Sequence, residues 1–218
     1  MRYSLIIGLL LSISFFATAQ ELKHEGKNIG DIIPDDWEIF SCDTGDLNKD
    51  GLDDLAFIVR QHKENLIEIS LDCDDTILID ENKFIVAIYW GKANGYFTHY
   101  KDWDDLVWPE SSTASYEELW VKITDKGTLK FRVKMFLSAG GWTNPNYTVT
   151  YRFQNGNFYR IGYDSDEYSR ATMEGEKISI NYSTGKRYIV KYNASDLSES
   201  PGYWESFKED LKEIDKGF

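Results

Sequence analysis

Three turn sequences decide what kind of chain this is. Asp125-Lys126-Gly127, Gln154-Asn155-Gly156-Asn157 and Ser183-Thr184-Gly185 each stand between two runs in which apolar and polar residues alternate. A glycine or an Asn-Gly pair at such a point supplies the positive φ of a tight turn, and period-two alternation marks a strand with one buried face. Residues 119–124 with 128–137, 147–153 with 158–163, and 177–182 with 186–192 therefore read as successive antiparallel hairpins. Upstream, DLAFIVR (54–60), LIEISL (66–71) and KFIVAIYW (83–90) are rich in the β-branched and aromatic residues that suit strands. The predicted class is mainly β, an antiparallel meander of hairpins. One amphipathic helix is expected near the C-terminal end, where Trp204, Phe207, Leu211 and Ile214 fall at i, i+3, i+7 and i+10. Glu205, Glu209, Lys212 and Lys216 lie off that stripe. The helix is expected to pack on the sheet, a partner-binding helix being the sharper alternative.

The chain opens MRYSLIIGLLLSISFFATAQ. Arg2 makes a short basic start, residues 5–16 an apolar core, and Ala17-Thr18-Ala19 a small-residue cleavage site before Gln20, which is the layout of a secretory signal peptide. The apolar run is too short for a membrane anchor and has no stop-transfer flank. No cysteine directly follows it, the first being Cys42, so a lipoprotein attachment site is missing. The expectation is a periplasmic or secreted protein, cleaved before Gln20, with no membrane insertion. The formal charge is −13, and loss of Arg2 takes it to −14. Such acidity repels nucleic acid and anionic membranes; it suits cations or a basic protein surface, or serves solubility alone.

No linker rich in Pro, Gly or Ser separates two halves, and WPESSTAS (108–115) is the best boundary. Residues 1–19 then form the signal peptide, 20–110 a first β half, and 111–218 a hairpin half with the C-terminal helix, together one compact unit. Cys42 and Cys73 are the only cysteines. Export permits a disulfide between them, which would stabilise the fold by roughly 3–4 kcal/mol on the chain-entropy model. Two free thiols are the alternative.

The stretch GDLNKDGLDDLA (45–56) carries the clearest chemistry. Numbered from Asp46, it places Asp at position 1, Asn48 at 3, Asp50 at 5, Gly51 at 6 and Asp54 at 9. Calcium takes six to eight oxygens, and side chains at alternate positions of a tight loop converge on one point, with the Leu52 carbonyl at position 7 adding a backbone oxygen. Position 12, where an EF-hand has its bidentate glutamate, is Phe57, and a strand follows instead of a helix. An EF-hand is thereby excluded while its loop chemistry is kept. The run closely resembles the calcium loop of FG-GAP repeats, the β-propeller (VCBS-like) units of integrin α chains and of many bacterial secreted proteins. IYWGKANGYF (88–97) looks like the strand and turn that follow such loops. The resemblance implies one calcium ion held by Asp46, Asn48, Asp50 and Asp54 side chains and the Leu52 carbonyl. DCDDTILID and YDSDEYS lack the glycine, so a single FG-GAP-like unit is expected, not a full propeller. IIPDDWEI, YRFQNGNFYRIG and ISINYSTGK also resemble a group of exported bacterial proteins, which implies a fold neighbourhood and no mechanism.

Catalytic constellations are scarce. His24, His62 and His99 stand apart, and no HExxH, GxSxG, P-loop or dinucleotide pattern occurs. Carboxylate pairs such as Asp104-Asp105 and Glu117-Glu118 suit glycosidase chemistry but carry little signal in so acidic a chain. Aromatics are the other excess, with seven Trp, fourteen Tyr and twelve Phe. They either fill a small β core or expose rings that stack on sugars and anchor partners. Gly140-Gly141-Trp142, with Trp103 and Trp108, is the candidate binding surface. The expected function is an exported calcium-binding β protein acting as a non-enzymatic binding protein of the cell envelope, with an unidentified protein or glycan partner. A secreted hydrolase working on glycans or peptides through carboxylates is the alternative.

Overall fold

A computed structural model describes residues 21–61, 66–70, 76–80 and 82–216. In chain order it begins with β1 (Glu25–Gly26), a single helical turn α1 (Ile29–Ile32), β2 (Trp37–Gly45), β3 (Asp54–Gln61), β4 (Leu66–Ser70), β5 (Thr76–Asp80), β6 (Phe84–Gly91) and β7 (Phe97–Trp103). β1, β7, β6, β3 and β2 lie side by side in that order as one antiparallel sheet, and β4 pairs with β5 as a separate hairpin. The uninterrupted run Asp54-Leu55-Ala56-Phe57-Ile58-Val59 is buried residue by residue because both of its faces are covered. Ala56 and Ile58 join Val86 and Ile88 in a core shared with the second sheet. Leu55, Phe57 and Val59 join Ala87 and Tyr89 beneath Ile32, Ile33 and Trp37 of the N-terminal segment. Asn28 caps α1, its side-chain oxygen accepting the Asp31 N–H at 3.2 Å.

The second half supplies β8 (Ala114–Ile123), β9 (Thr128–Leu137), β10 (Asn146–Gln154), β11 (Asn157–Tyr168), β12 (Glu174–Asn181), β13 (Lys186–Asn193), β14 (Ser198–Glu199) and β15 (Tyr203–Ser206). These form an antiparallel meander, with β14 and β15 sharing the outer edge of β13. Every predicted strand that lies within the described residues is present. The turns have the expected backbone: φ is +67° at Gly127, +51° and +83° at Asn155 and Gly156, and +62° at Gly185. Alternate residues Leu119, Val121 and Ile123, then Leu129, Phe131, Val133 and Met135, point into the shared core. Burying a side chain of this size contributes on the order of 1.5–3 kcal/mol.

The two sheets meet at β2 and β8 through side chains. Ser41 Oγ donates to the Val121 carbonyl at 3.3 Å and accepts the Val121 N–H at 3.1 Å, while Asp43 Oδ2 accepts the Ile123 N–H at 2.8 Å. The second sheet curls as a half-barrel around the shared core. The core thins toward its far edge, where β12 has no buried residue and β13 has only Ile189.

Among the described residues the expected C-terminal helix is not formed. Tyr203–Ser206 is a strand on Lys186–Ile189, and the described residues end in a single 3-10 turn, Ile214–Lys216. The helical stripe was real as spacing but lost to an unpaired sheet edge. β13 offers a row of free backbone groups there, and Tyr-Trp-Glu-Ser is a good strand former. The tail is then held extended by side chains: Glu213 accepts from Asn157 Nδ2 at 2.9 Å and from the Tyr159 hydroxyl at 3.0 Å. Of the stripe, Ile214 is fully buried and Trp204 is 68% exposed.

Candidate functional site

The acidic loop joins β2 to β3, and its polar atoms wind around its own amides. Asp46 Oδ1 accepts the N–H groups of Lys49 (2.6 Å) and Asp50 (3.1 Å), and Oδ2 that of Gly51 (3.0 Å). Asn48 Oδ1 accepts the Asp50 N–H, and Asp50 Oδ1 the Leu52 N–H, both at 2.9 Å. Lys49 at φ +65° and Gly51 at φ +86° make the tight winding possible. Asp54 has a different position. It is fully buried, with Oδ2 accepting Leu47 N–H at 2.9 Å and Asn48 N–H at 3.3 Å, and Oδ1 accepting Gly91 N–H at 2.9 Å. Burial pushes its carboxyl above the usual range and the Asp50 charge adds to this, against the three N–H donors.

Among the described residues no three His, Cys, Asp or Glu side chains are gathered as a metal-binding group. The donor set itself fits calcium. A carbonyl or carboxylate oxygen offers two lone pairs, so these bonds leave at least one unused on each of Asp46, Asn48, Asp50 and Asp54, all on oxygen. Asp54 keeps a free lone pair on Oδ1 alone, which limits it to one contact. The loop also sits where the two sheets join. Leu47 is buried in the shared core, and a Cβ on Gly127 would lie 2.6 Å from the Asp46 carbonyl oxygen.

A second feature lies at the far edge of the curled sheet, where the inner face is left uncovered. Val149 is in the core, and the register carries its face from Tyr147 to Ser165, then to Ile178, and from Glu167 to Glu176 to Lys191. An open cleft of about 690 Å³ is lined there by Ser165, Glu167, Glu174, Glu176, Ile178 and Lys191. Glu167 and Glu176 oppose each other directly across β11 and β12, and Lys191 Nζ stands 3.6 Å from Glu176. Beside the cleft floor Tyr147 stacks on Tyr163 at 5.7 Å, and burial pushes the Tyr147 hydroxyl up to about 12. A second hollow shares Glu167 and Tyr168 with the cleft, and a third shares Arg170 with the second and ends at Gly140, Gly141 and Trp142.

The candidate aromatics separate. Trp142 is 70% exposed and Trp108 63%. Arg170 steadies the Trp142 loop, its N–H donating to the Trp142 carbonyl at 2.8 Å and its guanidinium to the Gly141 carbonyl. Gly140 has φ +85°, the unusual backbone expected of this loop. Trp103 is no surface residue: it is buried, and its indole N–H donates to Asp215 Oδ1 at 2.7 Å. Cys42 is exposed on β2, and the predicted partner Cys73 lies outside the described residues. Glu117 and Glu118 are held by Lys134 (2.8 Å) and Arg132 (3.0 Å), and Asp104 by Lys83 (2.7 Å). Sequence reasoning missed the cleft. Its signal was YDSDEYS, set aside for want of a glycine, in which β11 puts Asp164 and Asp166 on one face and Glu167 on the other. The chain matches no family model, no curated protein and no solved structure, so its function is argued from these residues alone.

Proposed function

We propose that this chain is an exported calcium-binding β protein that acts in the bacterial cell envelope by binding and not by catalysis. On this reading the five-stranded sheet is a single FG-GAP-like unit. Asp46, Asn48 and Asp50 hold the ion with the Leu52 carbonyl, and Asp54 adds one oxygen. Calcium supplies positive charge to carboxylates that otherwise repel one another, and so braces the junction of the sheets. The observation that carries the reading is the loop's oxygen-only donor set, each member keeping an unused lone pair within one winding of backbone. A protein or glycan partner docks at the end that holds the open cleft and Trp142. Thermal melting in calcium, magnesium and chelator tests the calcium reading. Calcium at a hundredfold excess over its dissociation constant should add about 2.7 kcal/mol, and Asp50→Ala should lose that gain. Identical responses of wild type and Asp50→Ala would reduce the loop to a turn.

The hydrolase alternative draws on one feature, the opposition of Glu167 and Glu176 in the cleft. Turnover of a glycan or peptide probe by wild type and its loss in Glu176→Gln would select it.

A further inference from the structure

We propose that His24 and His99 hold a first-row transition-metal dication such as zinc, at a site separate from the acidic loop, and that the ion clips β1 onto β7. The chain has three histidines, and two of them meet here. β1 pairs with β7 through Glu25 opposite Thr98 and Gly26 opposite Phe97, so one more step of the same register sets His24 opposite His99. The His99 N–H donates to the His24 carbonyl at 2.8 Å, which holds that step in place. Side chains directly opposite in an antiparallel pair leave the same face, with Cβ atoms about 4.5–5.5 Å apart.

The rings stand at the separation that one ion requires. Zinc binds an imidazole nitrogen at about 2.0–2.1 Å, which places it about 3.2 Å from the ring centre. Two rings on one ion therefore have centres roughly 5 Å apart at the tetrahedral angle and about 6.4 Å apart when opposed. The centres of His24 and His99 are 6.1 Å apart. His24 is exposed and the His99 side chain is 27% exposed, so an ion reaches both from solvent. Two imidazoles are fewer donors than a closed structural site has, and water completes the coordination.

The surroundings of His99 are a second, independent argument. Its Nε2 lies 2.7 Å from Asp102 Oδ1. An ionised carboxylate only accepts, so Nε2 carries the proton and Nδ1 keeps the lone pair that a metal needs. A ligating histidine has this arrangement, with its far nitrogen bound to a carboxylate that fixes tautomer and orientation. Tyr89 holds the ring from the side, edge to face at 5.2 Å, and its hydroxyl is spent on the Lys23 carbonyl at 2.8 Å. That bond also ties down the residue before His24. Imidazole selects zinc, copper and nickel, whereas calcium takes oxygen, so the His24–His99 pair and the acidic loop draw different ions. β1 is only two residues long, and an ion bridging it to β7 would fasten the outer strand of the first sheet.

The test is calorimetric titration of the protein with zinc chloride in excess calcium, which keeps the acidic loop out of the measurement. Wild type is expected to bind one zinc ion per chain. His24→Gln and His99→Gln should each weaken it at least tenfold, while His62→Gln, which alters the third histidine, and Asp50→Ala should stay within twofold of wild type. Equal binding by wild type and both pair variants would place the zinc on surface carboxylates and overturn the proposal. Loss in only one of the two would reduce the site to a single imidazole and overturn it as well, as would the absence of a saturable site in wild type. NMR of wild type alone, which needs no variant to fold, gives a second reading. Zinc should shift the ring signals of two of the three histidines together and slow exchange of the His99 amide at least fivefold. Ring signals that do not move would refute the site, and an unchanged amide would refute the clip.

Discussion

Replacing Asp54 by alanine tests whether one buried carboxylate ties the acidic loop to the sheet. Asp54 accepts three backbone N–H groups, from Leu47 and Asn48 in the loop and from Gly91 at the end of β6. The Leu47 and Gly91 bonds are buried. Alanine leaves both donors without a partner, at about 1–3 kcal/mol each, and the half-buried Asn48 N–H adds less. Removing a buried charge recovers part of this. The expected loss is roughly 3–5 kcal/mol, a fall in Tm on the order of 10 °C for a chain of this length. Asparagine keeps one acceptor oxygen and turns an NH2 toward the other donors, so it should cost about half as much. The assay is urea unfolding in chelator, so that bound metal contributes nothing. Asp54→Ala within 1 kcal/mol of wild type would refute the tie. Asparagine as harmful as alanine would show that charge, not acceptor geometry, is what the site needs.

Other outcomes follow from the same geometry. Gly127→Ala should lower both stability and calcium response, since φ is +67° there and the new Cβ would lie 2.6 Å from the Asp46 carbonyl oxygen; melting in calcium and in chelator reads both. Ile214→Ala should cost about 2–5 kcal/mol and Trp204→Ala under about 1 kcal/mol, because the first is fully buried and the second 68% exposed; similar losses in denaturant unfolding would restore the helix. Alkaline pH should unfold the chain. Burial raises the hydroxyls of Tyr89, Tyr116, Tyr147 and Tyr151 in the folded state. Their contribution is present below the unfolded value near pH 10 and is lost as pH rises toward the folded values, at on the order of 1.4 kcal/mol per pH unit for each. Unfolding free energies at pH 9 and pH 11 should differ accordingly, and Tyr151→Phe should flatten the dependence.

The strands were legible because their signals are local. Leu129, Phe131, Val133 and Met135 alternate, and Asn155-Gly156 admits one kind of turn, so neighbouring residues alone dictate the hairpins. β3 was legible for another reason: its run without alternation means cover on both faces. The C-terminal stripe misled because periodicity reports which residues are apolar and not what edge awaits them. Tyr203–Ser206 became a strand through β13, whose Lys186–Ile189 it pairs with and which lies earlier in the chain. Trp103 misled similarly, since its partner Asp215 lies 112 residues away. The loop's acids were visible from spacing, but the separate position of Asp54 was not, because it depends on Gly91. The cleft could not be seen at all without the register that sets Glu167 against Glu176.

Calcium titration of the protein by calorimetry tests the central claim most directly. The account predicts one site per chain, with a dissociation constant on the order of 10⁻⁴–10⁻³ M as in extracellular modules. Magnesium should compete poorly because it demands a tighter octahedron, and Asp50→Ala should give no saturable heat. A flat titration for wild type, or equal binding by Asp50→Ala, would contradict it.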